Sequence, residues 1–225
     1  METITPVTHV LAPSAFGFLW AECKRCYYLQ VVENLRRPAA PFPSIFSKID
    51  AAMKSRFGND EWHSFGASQP RFKIAHDEKM VRSVPITLPG RNVKIVLRGK
   101  FDSVLALSDS RKVVCDFKTA PVKPEYLDKY WIQLHAYAYA LEHPSLESLS
   151  IPRIDGLGLA VFEPNEFAYD CENGASLNGA MRWIDMPRDD DRFMGFLDEV
   201  ASVLEQPEAP SADGQCQYCR FRQAA

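Results

Sequence analysis

The stretch that decides the fold runs Arg98-Gly99-Lys100-Phe101-Asp102, crosses a polar gap at Ser108-Asp109-Ser110, and resumes as Val113-Val114-Cys115-Asp116-Phe117-Lys118-Thr119. Alternation through residues 101–107 and the β-branched pair Val113-Val114 predict two paired strands, with turn chemistry between them. Such pairing lays Asp102 beside Asp116-Phe117-Lys118. Side chains alternate along a strand, so Asp116 and Lys118 share one face and Phe117 takes the other. About one helix later comes Gln133-Leu134-His135-Ala136-Tyr137. There Gln133 and Tyr137, four apart, share a helical face.

Two carboxylates aimed at one point suit a hard cation, which takes one or two carboxylates plus waters and substrate phosphates. A lysine on the same face can orient or deprotonate a water, or steady a developing phosphate charge. Together these groups point to phosphodiester hydrolysis.

The order Gly-x-x-Asp, Asp-x-Lys-Thr, Gln-x-x-x-Tyr resembles the PD-(D/E)XK nuclease superfamily. More narrowly it is similar to the RecB-like exonuclease branch, including CRISPR-associated exonucleases with cysteine-bound iron–sulfur clusters. The resemblance implies an α/β fold, a central mixed β-sheet flanked by helices in a restriction-endonuclease-like core. It implies one domain over residues 1–225 with a metal clasp formed by residues 14–30 and 206–225. The implied activity is Mg²⁺- or Mn²⁺-dependent DNA cleavage, as an exonuclease on single-stranded or frayed ends. Asp102 and Asp116 would bind the metal with the carbonyl of Phe117, Lys118 would position or activate the attacking water, and Gln133 and Tyr137 would contact the DNA. Two other readings stay open. One is a non-catalytic nucleic-acid-binding module, the other a subunit that works only with protein partners in a DNA-processing complex.

Working outward, residues 44–57 predict a helix with an apolar stripe at Ile45, Ile49, Ala52, Met53 and Phe57. Related nucleases often carry a metal-binding histidine on this helix. None occurs here, and Asp50 is the nearest polar candidate, an oxygen donor suited to Mg²⁺ or Mn²⁺. A solvated helix aspartate is the alternative. Trp62, His63 and Phe65 offer stacking surface, and His76-Asp77-Glu78 reads either as a metal-reaching segment or as a solvated strand end.

Ser14 is a plausible N-cap for a first helix on which Phe16, Leu19, Trp20, Cys23 and Tyr27 recur at helical spacing. Six cysteines stand at 23, 26, 115, 171, 216 and 219, four of them in two Cys-x-x-Cys pairs. Such pairs in a reducing compartment suggest metal rather than a disulfide. Cys23 and the pair Cys216/Cys219 resemble the terminal cysteine segments of the iron–sulfur nucleases, and Cys26 makes four. Lys24 replaces the usual proline after the first cysteine, and Ala225 stands where those nucleases carry a further cysteine. Four thiolates can hold a [4Fe-4S] cluster or a tetrahedral Zn²⁺. The resemblance favours the cluster, and the paired symmetry favours zinc. Cys115 is expected in the core and Cys171 as a free thiol.

The chain of 225 residues has 46% hydrophobic and 24% charged residues, which suits a globular domain with a sizeable core. Net charge is −3, but residues 1–130 hold 20 Lys+Arg against 13 Asp+Glu, and residues 131–225 hold 6 against 16. A basic N-terminal two-thirds suits a phosphate backbone. No apolar run reaches the roughly 18 residues of a membrane span, and Met1-Glu2-Thr3-Ile4 lacks a basic signal start. The expected setting is cytoplasmic, with no membrane partner. Later segments predict a buried strand at 154–163, another at 181–186, and a helix after Asp189-Asp190-Asp191.

Overall fold

A computed structural model describes residues 6–38, 41, 43–67 and 69–224. The readings placed on Met1–Ile4 and Ala225 lie outside them. The fold is α/β, with two mixed sheets flanked by helices. In the first sheet β5 (Val93–Lys100) pairs parallel with β1 (Val7–Leu11) and antiparallel with β3 (Met80–Arg82) and β4 (Ile86–Thr87). The second sheet has the order β2 (Phe72–Asp77), β6 (Ser103–Leu107), β7 (Lys112–Lys118), β8 (Gly156–Asp170), β9 (Gly174–Met186). Only β7 and β8 pair in parallel there, joined by the crossover helix α4 (Leu127–Glu142).

Strand alternation divides the core. Val104, Val114, Leu157 and Leu159 face α4 and α5 (Asp190–Leu204) in the larger cluster. Leu105, Val113, Cys115 and Phe117 face α3 (Ser44–Phe57) in the smaller one, so Cys115 lies buried opposite Asp116 as its register requires.

Two expectations need correction. Residues 101–107 are not all strand: Phe101 and Asp102 stand outside it, the Phe101 ring being fully buried while the Asp102 backbone carbonyl accepts from Glu78 N–H. The first helix is not continuous, and Ser14 does not cap it. Pro13 opens α1 (Pro13–Ala15), which runs into a π-helical turn at Phe16–Trp20. The chain extends at Cys23 and restarts as α2 (Lys24–Val31), because Cys23 Sγ accepts from Cys26 N–H and serves as the cap. Between residues 163 and 181, where Cys171 and Asn173-Gly174 mark a loop or hairpin, the chain forms the hairpin, the outer part of the β8–β9 ribbon, turned at 171–173 by Gly174 at φ 85°. Its exposed side chains include Phe167 and Tyr169, 71% and 73% accessible. Cys171 is exposed and free.

Asp189 caps α5 by accepting from Arg192 N–H, so the three aspartates are a helix start. His135 is fully buried against Phe193, and its Nε2 accepts from Asp189 N–H at 3.0 Å. No described helix is long and apolar enough to cross a membrane.

Candidate active site

The β6–β7 ladder sets Ser103 opposite Cys115, which carries Asp102 to the backbone of Phe117. Phe117 N–H donates to Asp102 Oδ2 at 2.7 Å. Asp116 and Lys118 point to the opposite face from the Phe117 ring and form an ion pair. Burial, reinforced by the nearby Asp116 charge, pushes the Asp102 carboxyl up to about 6, despite the opposing Lys54 ammonium and Phe117 N–H. Burial depresses the Lys118 ammonium, but its pairing with Asp116 outweighs that and leaves its pKa raised. Lys118 is therefore charged at neutral pH.

Helix α3 supplies a second group of charges. Lys54 Nζ donates to Asp50 Oδ2 at 2.8 Å and to Glu78 Oε1 at 2.7 Å, and it pairs with Asp102. Carboxylate oxygens of Asp50, Glu78 and Asp102 all lie within 4.8 Å of one another. Glu78 sits at φ 49° in the tight turn between β2 and β3, which turns its side chain back to the cluster. Hydrogen bonds from Lys100 and Lys54 hold its carboxyl down at about 2. The donor set is all oxygen and crowded with negative charge, so it fits a hard divalent cation.

The face of α4 carrying Tyr130, Gln133 and Tyr137 turns toward β7. Lys118 Nζ lies 4.5 Å from the Tyr130 ring centre. Tyr137 and Gln133 are both buried, and Gln133 Oε1 has no hydrogen-bond partner among the described residues. Beside these groups opens a cleft of about 810 Å³, whose walls include Phe18, Asp50, Glu78, Lys118, Tyr126 and Tyr130. A smaller cavity of about 230 Å³, lined by Phe65, Phe72, Trp183 and Arg188, contains none of the site residues.

The sequence-predicted residues thus come together unevenly. Asp102, Asp116, Lys118 and the Phe117 backbone meet, and Asp50 joins them through Lys54. Gln133 and Tyr137 share the face of α4 turned toward β7 but lie beneath the surface. Trp131 is buried, donating to Pro187 O at 2.7 Å. The stacking surface expected at residues 62–65 is mostly structural: Phe65 stacks on Phe72 and Trp183, and His63 bonds Asn59, while Trp62 stays exposed under Arg71 and Lys73. Sequence reading missed Lys54, although its spacing of four from Asp50 was visible. It weighed Glu78 only within His76-Asp77-Glu78.

At the termini, Cys23, Cys26, Cys216 and Cys219 are all buried and converge. Their sulfurs stand 3.6 Å apart for Cys23–Cys219, 3.7 Å for Cys26–Cys219 and 3.8 Å for Cys26–Cys216. The clasp joins α2 to α6 (Gln217–Ala224).

A mixed sheet that presents Asp, then Asp-x-Lys, beside a carboxylate cluster and an open cleft defines the class: an α/β core with a candidate divalent-cation site. The family model of the PD-(D/E)XK nuclease superfamily matches residues 46–224, and the chain belongs to that superfamily. Its members are usually metal-dependent nucleases acting on nucleic acid. No curated protein matches the chain. Among solved structures, the crystal structure of SSO0001 is similar in fold, with a TM-score of 0.51 at 14% identity over 96% of this chain and 85% of that one.

Proposed function

We propose that this protein is a Mg²⁺- or Mn²⁺-dependent deoxyribonuclease that trims single-stranded or frayed DNA ends. The observation that carries the reading is the meeting of Asp102, Asp116 and Lys118 beside an aromatic-walled cleft that Lys118, Asp50 and Glu78 help to line. Asp102, Asp116 and the Phe117 carbonyl would hold the cation, with Asp50 and Glu78 completing an oxygen-only set. When bound, the cation would polarise the scissile phosphate and lower the pKa of a coordinated water. Lys118 stays protonated, so it orients the attacking water and steadies the phosphate oxygens rather than acting as base. Tyr126, Tyr130 and Phe18 offer ring faces on which unpaired bases can stack, a mode that tolerates any sequence. Gln133 and Tyr137 support that wall from beneath, with Gln133 Oε1 buried and unpaired among the described residues.

The test is cleavage of end-labelled linear single strands, blunt duplexes and closed circular single strands, with Mg²⁺ or Mn²⁺ and with chelator. Shortening of linear strands with circles untouched supports an end-dependent nuclease. Cut circles would replace it with an endonuclease, and no metal-dependent cleavage of any DNA would end the reading.

One observation favours the partner-dependent alternative. The projecting ribbon exposes Phe167 and Tyr169 among Glu163, Glu166, Asp170 and Glu172, with no Lys or Arg from 163 to 181. That surface suits a protein better than DNA. A purified chain that cuts alone removes the need for such a partner.

A further inference from the structure

The four-iron cluster that the family resemblance implies does not fit the clasp. In a [4Fe-4S] cube each thiolate sits on its own iron at a separate corner, which holds the four cysteine sulfurs roughly 6 Å apart. Here three sulfur pairs stand at 3.6, 3.7 and 3.8 Å, and all four sulfurs lie within 4.8 Å of one another. A single tetrahedral ion with metal–sulfur bonds of about 2.3 Å requires sulfur–sulfur edges of about 3.8 Å. We infer that Cys23, Cys26, Cys216 and Cys219 hold one zinc ion, and that Arg37 is its outer-shell partner.

Three further observations agree. The ligands come as two Cys-x-x-Cys pairs, one on each terminal segment. Within the first pair Cys26 N–H points at Cys23 Sγ, at 3.4 Å, a contact that supports a thiolate. The charge is also met. Four thiolates around a dication leave a net charge of −2, costly in a site whose four cysteines are buried. Arg37 Nη2 donates to Cys216 Sγ at 3.3 Å, its guanidinium stacks over the Tyr218 ring at 4.5 Å, and Glu22 anchors its other arm at 2.6 Å. Partners of this kind fix ligands and tune metal affinity.

The experiment uses the full chain. Metal analysis and an absorption spectrum should give about one zinc per chain, no acid-labile sulfide and no colour. About four irons with sulfide and a broad visible band would overturn the assignment. Stripped protein titrated with Co²⁺ should develop the strong visible bands of tetrahedral thiolate cobalt at one equivalent, bleached by Zn²⁺; their absence would also overturn it. Cys219→Ser should lose these bands and Cys171→Ser, altering an exposed thiol, should keep them. Full bands in Cys219→Ser would sink the four-ligand set. Should Cys219→Ser fail to fold, Arg37→Gln still decides its part: it should bind one Zn²⁺ about tenfold more weakly, and unchanged affinity would remove Arg37 from the site. None of these readouts depends on nuclease activity.

Discussion

The backbone N–H of Phe117 donates to the carboxylate of Asp102 at 2.7 Å, so one motif is fastened to the other through the main chain. The same carboxylate is buried, lies near Asp116, and is raised to about 6. Its folded pKa exceeds the ordinary 3.8. The proton it holds therefore favours the metal-free fold at low pH, and that contribution is lost as pH rises through 6. A divalent cation held by Asp102, as proposed, would have to displace this proton. Mg²⁺ affinity, followed by calorimetry, should fall by up to about tenfold per pH unit below pH 6. Asp102→Asn should weaken binding and flatten that slope.

Asp116→Asn and Lys118→Met should each leave the fold intact and lower cleavage by about a thousandfold. Groups that stabilise transition-state charge are worth several kcal/mol, and each 1.4 kcal/mol is a factor of ten. Because Lys118 is charged at neutral pH, Lys118→Arg should keep more activity than Lys118→Gln. The opposite ranking, read from initial rates, would show that positive charge is not what Lys118 supplies.

Lys54 stands where three carboxylates converge, and its ammonium offsets their repulsion. Lys54→Met should therefore do two opposite things. Without metal it should lower the melting temperature, because Asp50, Glu78 and Asp102 lose their shared cation. With Mg²⁺ it should bind the ion about tenfold more tightly, since each 1.4 kcal/mol of relieved competition is one decade. Melting curves with and without Mg²⁺ check both, and a loss that Mg²⁺ fails to repair would assign Lys54 a packing role instead.

The strand pair and its geometry were legible because period-two alternation fixes which of Asp116, Phe117 and Lys118 share a face. Residues 44–57 were legible as a helix for the same kind of reason, a sustained apolar stripe. What failed was set by distant contacts. The break at Cys23 depends on a thiol capping its own helix within a four-sulfur clasp, which no local pattern reports. Glu78 belongs to the site only because a left-handed turn aims it at α3. The ribbon from 163 to 181 lacks a buried face along most of its length, so alternation carried no signal there. Tyr137 looked like a surface contact, yet Gly99 leaves just enough room to bury it.

His135 makes the fold sensitive to acid. Burial and then the Arg188 charge lower its pKa from 6.5 to about 4, and its neutral Nε2 accepts from Asp189 N–H at the start of α5. The folded pKa is depressed, so the stabilisation is present above pH 6.5 and is lost as pH falls toward 4. The full effect is about 3 kcal/mol. His135→Gln keeps an acceptor without the titration. Denaturation midpoints of this variant should change less than wild type between pH 6.5 and 4. Parallel curves would show that other groups drive the acid loss.

Gly99 tests whether the motif glycine serves packing or chemistry. A Cβ there would stand 3.0 Å from Pro13 Cδ, 3.1 Å from Tyr137 Cε1 and 3.2 Å from Tyr137 Oη. Strand β5 cannot easily retreat, because Gly99 pairs with Val81 of β3 and β1 holds its other edge. Gly99→Ala should therefore cost about 1–3 kcal/mol by overpacking, or roughly 2–4 °C in melting temperature per kcal/mol for a chain of this size. The displaced Tyr137 ring should disturb the α4 face that carries Tyr130 over Lys118, so activity should fall further than stability predicts. Adding Tyr137→Phe removes one of the three contacts and should restore part of both. If the double variant gains nothing, the crowding acts through Pro13 and α1, and the glycine is separate from the site.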